Sequence, residues 1–365
     1  MKQYSINIPD NVLVDLQHRL EHVRWPDQVV DHPDWSWGTP GSPLRKLMQY
    51  WRHEYDWPAT EQRLNSYQQT LLTVGDTQIH CFRAGHPDGT PLVLLHGWPD
   101  SPLRFEKAIP YLEQDFQLIM PSIPGYGFSE RPQSTGYGPN RIADLLVQAL
   151  AMMGIQRFGV HGGDIGGAIA EAIALHYPDT VIGLHLLDVP FWHRYTVDPT
   201  ELTPIEQDYF QGMNEWFQHH GAYAAMHRTK PQTLAYSLND SPLGLAAWML
   251  EKFQAWSDCD GDVWNSFEPG ELVDNLMIYW ITQTAGSSVR YYRDSALEAK
   301  DPAARVHVPT GLSIFPKDIV PAPRAFAERF FNVTHWQQMP RGGHFGPWEQ
   351  PAAFADQIRE FFGSL

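Results

Sequence analysis

Short, mostly apolar runs recur along the chain without alternating with polar residues. Leu92-Val93-Leu94-Leu95, Phe116-Gln117-Leu118-Ile119, Arg157-Phe158-Gly159-Val160 and Val181 to Leu187 are four of them. Runs of this kind read as strands buried on both faces, which is how a parallel sheet looks in sequence. Between them lie stretches long enough for helices, the clearest being Ile142 to Leu150. A hairpin precedes the series: Leu71 to Val74, a Gly75-Asp76 turn, then Thr77 to Phe82. The rhythm breaks from about 190 to 300, where the pattern is helical and dense in aromatics, and resumes with Gly311 to Phe315 and Val333 to Met339. A helix from about Pro351 to Phe362 closes the chain. The expected fold is therefore α/β, a mostly parallel doubly wound sheet with a helical insertion. An insertion after a strand of such a sheet belongs over the C-terminal strand ends, where sites in open α/β sheets lie.

Residues 1–70 read as short helices and loops that wrap the main body. Asp10 is placed to cap a helix carrying Val12, Leu13, Leu16 and Leu20. Ser42-Pro43 opens another through Leu47 and Trp51. The expected division is 1–70, wrapping segment; 71–189, first part of the sheet body; 190–300, cap; 301–365, second part of the body. No repeat or low-complexity tract interrupts it.

Composition narrows the function. Of 365 residues 43 % are hydrophobic, enough for a sizeable core, and the net charge of −16 argues against nucleic acid or anionic membranes as partners. Two cysteines, Cys81 and Cys259, allow no disulfide framework or CxxC metal site. No signal-peptide block and no apolar run of about 18–20 residues is present, so a cytoplasmic location is expected. No HExxH, P-loop or dinucleotide glycine fingerprint appears, so neither metal nor cofactor is expected.

The candidate chemistry begins at Gly162-Gly163-Asp164-Ile165-Gly166-Gly167, between the run ending at Val160 and the small-residue stretch Ala168 to Ala172. Strand, glycine turn and helix are the setting of the nucleophile elbow of α/β-hydrolases, usually written G-x-S-x-G. Here the middle position is Asp164. A carboxylate attacking an acyl carbon gains only a mixed anhydride. Attacking an sp3 carbon with a leaving group, it forms an alkyl ester that water can cleave. The plainer account is that Asp164 merely N-caps a helix.

Three features separate these accounts. His96-Gly97-Trp98-Pro99 follows the run 92–95, where this architecture draws one oxyanion-hole amide; the donors would be the N–H groups of Trp98 and Ile165. Gly342-Gly343-His344-Phe345 follows the last strand and offers a base for water. With 17 histidines a lone His means little, but His344 stands in the expected chain order after nucleophile and acid. The acid that orients it is Asp318, after the strand ending at Phe315; Asp188, after Leu187, is its rival.

With these residues in view the chain resembles the epoxide hydrolases, in their microsomal-like branch. The likeness runs through Tyr50-Trp51 to Tyr55-Asp56-Trp57, His96-Gly97-Trp98-Pro99, Gly162-Gly163-Asp164, Leu238-Asn239-Asp240-Ser241-Pro242 and Arg341-Gly342-Gly343-His344-Phe345. It implies an α/β-hydrolase fold with a helical cap and an N-terminal helical meander, and an epoxide as small-molecule substrate. It also implies two cap tyrosines holding the epoxide oxygen: Tyr223, and Tyr292 or its neighbour Tyr291. A phenol, with a pKa near ~10, suits a developing alkoxide. Two departures stand out: no membrane anchor like that of the microsomal enzymes is expected, and Ile165 stands where some members carry an aromatic. The dense cap aromatics point to an apolar or aromatic epoxide, and self-association stays open. The competing readings are a dehalogenase using the same Asp and His, and a hydrolase fold that only binds.

Overall fold

The structure, a computed structural model, describes residues 2–29, 31 and 34–365; residues 1, 30, 32 and 33 lie outside it, so the N-terminal stretch is described from residue 2. Nine strands of the described chain form one sheet: β1 (Lys2–Gln3), β2 (Gln68–Val74), β3 (Thr77–Gly85), β4 (Thr90–Leu95), β5 (Phe116–Pro121), β6 (Phe158–Gly162), β7 (Val181–Leu186), β8 (Val306–Ile314) and β9 (Phe331–Gln338). Their order is β1-β2-β3-β5-β4-β6-β7-β8-β9. β1, β2, β3 and β5 pair antiparallel, while β5 through β9 run parallel. The parallel strands are the continuous apolar runs of the sequence. Leu92 to Leu95 and all of β6 are buried, because helices cover both faces. The hairpin turn falls at Gly75, whose φ of +59° suits glycine.

Every loop that carries candidate chemistry leaves the C-terminal end of a parallel strand. His96 follows β4, Asp164 follows β6, Asp318 follows β8, and His344 follows β9. The long insertion leaves after β7 and returns at β8. Its helices are Pro204–His220, Ala222–Thr229, Pro231–Asp240, Pro242–Ala255, Pro269–Ile281 and Ala285–Leu297. Four of the six open on proline, which lacks the N–H that a first turn leaves unpaired anyway.

The N-terminal residues form the helices Asp10–Glu21, Gly41–His53 and Trp57–Asn65. The first packs on the cap helix Pro242–Ala255, and the chain from the second helix through the third lies against the cap helix Pro269–Ile281. The Trp51 indole donates to Met277 Sδ at 3.2 Å, and Asp274 accepts from Tyr55 Oη at 2.7 Å and Thr60 Oγ1 at 2.8 Å. Two helix starts differ from the sequence expectation. Pro9 holds the capping position and Asp10 lies within the first turn, where its charge suits the helix dipole. The second helix begins at Gly41 behind Pro40, one residue before Ser42.

Candidate active site

The turn after β6 is as tight as its glycines require. Asp164 sits at φ 56°, ψ −129°, in the positive-φ region that costs a non-glycine residue about 1–3 kcal/mol. A Cβ at Gly162 would lie 2.2 Å from the Gly166 carbonyl oxygen, and one at Gly97 would lie 2.4 Å from Asp164 Oδ1. Those bare positions let the helix Ile165–His176 close on the strand and let the loop after β4 reach the carboxylate. The Trp98 amide donates to Asp164 Oδ1 at 2.8 Å, and the neighbouring Ile165 amide favours the charged carboxylate. Burial pushes the Asp164 carboxyl above its ordinary value, while His344 and these two amides act against that rise.

His344 faces the other oxygen. Its Nε2 lies 3.7 Å from Asp164 Oδ2, and its Nδ1 lies 2.7 Å from Asp318 Oδ1. Nε2 has no hydrogen-bond partner among the described residues. The ring is buried, at 3 % exposure, and its backbone is tied down on both sides: the His344 amide donates to the Trp256 carbonyl at 2.7 Å, and Arg104 Nη2 donates to the His344 carbonyl at 2.9 Å. Burial alone would pull this imidazole down in pKa. The charges of Asp318 and Asp164 outweigh it and raise the group to about 9. Asp188, the rival acid, does not bond the imidazole in this structure. Its Oδ1 accepts the Asp164 amide at 3.3 Å, and burial together with the nearby Asp318 charge raises its pKa.

Above Asp164 opens a cavity of about 620 Å³. Phe191, Trp192 and Phe217 form an aromatic wall, and Tyr223, Tyr291 and Tyr292 come from the cap helices Ala222–Thr229 and Ala285–Leu297. Tyr223 and Tyr292 stand 6.1 Å apart at ring centroids, their planes at 82°. Tyr291 lies on the same cavity, its hydroxyl toward Ser295. Burial raises the pKa of all three phenols, which keeps them protonated and able to donate. The structure thus brings together Asp164, His344, Asp318, the Trp98 and Ile165 amides, Tyr223 and Tyr292. The Trp98 indole, which a halide would need, is not on the cavity wall.

Several supporting residues carried no readable signal in the sequence. Asp100 Oδ1 accepts the Gly97 amide at 2.7 Å, and Asp100 Oδ2 pairs with Arg104 at 2.6 Å, both side chains fully buried. Arg104 therefore joins the oxyanion loop to the histidine loop. From the cap, Asn275 Nδ2 donates to the Pro99 carbonyl at 2.8 Å and Tyr279 Oη to the Asp100 carbonyl at 2.7 Å. The only hint was local, an Asp directly after His96-Gly97-Trp98-Pro99 with an Arg four residues on.

A mostly parallel sheet, a strained turn after its central strand and a cap inserted after β7 define an α/β-hydrolase, with aspartate at the elbow. Residues 1–105 match the epoxide hydrolase N terminus family model, and residues 90–224 match the alpha/beta hydrolase fold model. Over 99 % of its length the chain is 36 % identical to a candidate epoxide hydrolase of Stigmatella aurantiaca, of which it covers 84 %. Over 100 % of its length it is 31 % identical to epoxide hydrolase 1 of Oryctolagus cuniculus, of which it covers 89 %. The crystal structure of juvenile hormone epoxide hydrolase from the silkworm Bombyx mori superposes with a TM-score of 0.89 at 27 % identity, over 100 % of this chain and 94 % of that one. The chain belongs to the epoxide hydrolase family. These relatives favour neither the dehalogenase nor the non-catalytic reading. Among the described residues no helix is long and apolar enough to cross a membrane.

Proposed function

We propose that this member of the family converts an epoxide to a vicinal diol in two steps, without a cofactor, and that Asp164 carries the covalent link. Tyr223 and Tyr292 hold the epoxide oxygen. Asp164 Oδ2, the oxygen that the Trp98 amide leaves free, attacks a ring carbon. The ring C–O bond breaks, its electron pair goes to the oxygen, and a phenol supplies the proton. His344, oriented by Asp318, then takes a proton from water as the water oxygen adds to the ester carbonyl. The resulting oxyanion lies on the Trp98 and Ile165 amides. Its collapse expels the diol, whose oxygen takes the proton back from His344, and the proton that water leaves on the Asp164 carboxyl returns to the phenolate, restoring both groups.

One observation carries the reading: His344 Nε2 lies 3.7 Å from Asp164 Oδ2, and Asp164 lines a cavity that the cap phenols also wall. The aromatic wall favours an apolar or aromatic epoxide. Cys81 and Cys259 are free and buried, which suits a reducing, cytoplasmic setting.

The test is a single turnover in heavy-oxygen water with enzyme in excess. The diol should emerge unlabelled, because its new oxygen comes from Asp164, while the label enters the protein. His344→Gln should hold the alkyl-enzyme as a mass increment on the peptide containing Asp164, and Asp164→Asn should form neither adduct nor diol. A labelled diol from the first turnover, with no adduct in His344→Gln, would overturn the covalent scheme.

A further inference from the structure

A histidine that takes no part in the proposed chemistry stands behind the two phenols. His227 lies one turn after Tyr223 on the helix Ala222–Thr229 and is fully buried. Its ring meets Trp98 at 87° with centroids 4.6 Å apart, and Tyr292 at 78° and 4.7 Å. Trp98 and Tyr292 are themselves at 88°. The three rings therefore meet like the faces of a box corner. Tyr223 lies parallel to Trp98, at 10° and 5.4 Å, and so stands across the imidazole at 86°.

The imidazole is fixed from behind. Trp248 Nε1 donates to His227 Nε2 at 3.2 Å. An indole nitrogen only donates, so Nε2 is the acceptor and the ring proton sits on Nδ1. Burial, with help from the Lys252 charge, lowers the His227 pKa to about 3, so the ring is neutral. The Tyr292 hydroxyl, by contrast, has no hydrogen-bond partner among the described residues. The direction in which it donates is set by its ring plane, and that plane is packed against His227 and Trp98.

We propose that His227 is a positioning residue for epoxide opening: held by Trp248, it locks the ring planes of Tyr292 and Tyr223 against Trp98, so that both hydroxyls converge on the oxygen that leaves the ring carbon. The inference rests on the reading that these phenols hold the epoxide oxygen. It separates the two steps. Ester formation depends on the phenols, whereas ester cleavage depends on His344, Asp318 and two amides that His227 does not bond.

The test is rapid-quench measurement of alkyl-enzyme formation and decay in the full-length protein carrying His227→Gln, Trp248→Phe, Tyr292→Phe, or His227→Gln with Tyr292→Phe. His227→Gln should slow formation on the order of tenfold to 100-fold, the scale of a misplaced catalytic group, and leave decay nearly unchanged. Trp248→Phe, at a partly buried site that tolerates the change, should act in the same direction with smaller size. In the Tyr292→Phe background His227→Gln should add little, because its route of action is gone. Formation at the parent rate in both His227→Gln and Trp248→Phe, beside a slowed Tyr292→Phe, overturns this inference and leaves the function standing. Equal slowing of both steps marks a merely structural histidine and also overturns it. A parent rate in Tyr292→Phe instead removes the phenol reading itself. If His227→Gln does not fold, Trp248→Phe alone decides.

Discussion

In the proposed scheme the proton on His344 is held in part by the group that the first step consumes. Burial draws this imidazole down, and the charges of Asp318 and Asp164 lift it to about 9. Once Asp164 is an ester its charge is gone. A His pKa raised by a carboxylate falls when that carboxylate is neutralised, so the base form becomes available at lower pH in the intermediate. Decay of the alkyl-enzyme should therefore rise with pH and level off well below 9, as single-turnover decay across the neutral and alkaline range will read. Asp318→Asn removes the partner that fixes the tautomer and should slow decay by roughly 10³–10⁴-fold, with a smaller effect on ester formation. At this scale the placement of Asp164 and His344 was readable, because each follows a strand end and stands among glycines. Tyr292 was not separable from Tyr291: they are adjacent on one helix and both line the cavity. Asp188 and Asp318 likewise both follow strand ends, and only the side-chain geometry, 2.7 Å from Asp318 to His344 Nδ1, divides them.

The cap is fastened to the sheet body by an ion pair that sequence gives no means of matching. Arg329, between β8 and β9, places Nε 2.6 Å from Oε1 of Glu206, on the first long cap helix. Hydrogen bonding to Arg329 holds the Glu206 carboxyl down at about 2. The sign follows from that direction. A depressed acid stabilises the fold above its unfolded value of about 4.3, and the contribution is lost as pH falls from there toward 2. Thermal melts of the parent and Glu206→Gln should differ most near neutrality and converge in acid; curves that stay parallel into acid would exclude the pair as a source of cap stability. The cap helices themselves could have been bounded from their prolines at 204, 231, 242 and 269, each at a first helical position. Their mutual packing could not, since a stripe of aromatics does not say which neighbour it faces.

Across the whole molecule, the sheet body and the presence of a cap were legible because buried parallel strands leave continuous apolar runs. In the N-terminal segment two helices were legible, but not the surface on which they rest. The segment's support is Asp274, which binds Tyr55, Thr60 and Arg63 at once. These contacts lie far apart in sequence, and nothing local marks them. Asp274→Leu removes the shared acceptor, although Arg63 keeps Glu106, and should cost about 1–2 kcal/mol in urea unfolding, while exposing the helix Trp57–Asn65 to proteolysis before the sheet. The layered plan also divides the labour of the proposed reaction. Asp164, His344 and Asp318 all leave the sheet, whereas the phenols arrive on cap helices. A cap that lifted by a few ångströms would disarm the capture of new substrate yet leave the hydrolytic half intact. Such an enzyme, caught mid-cycle, would still unload its cargo and return empty, so displacement of the lid can stall turnover without poisoning the nucleophile.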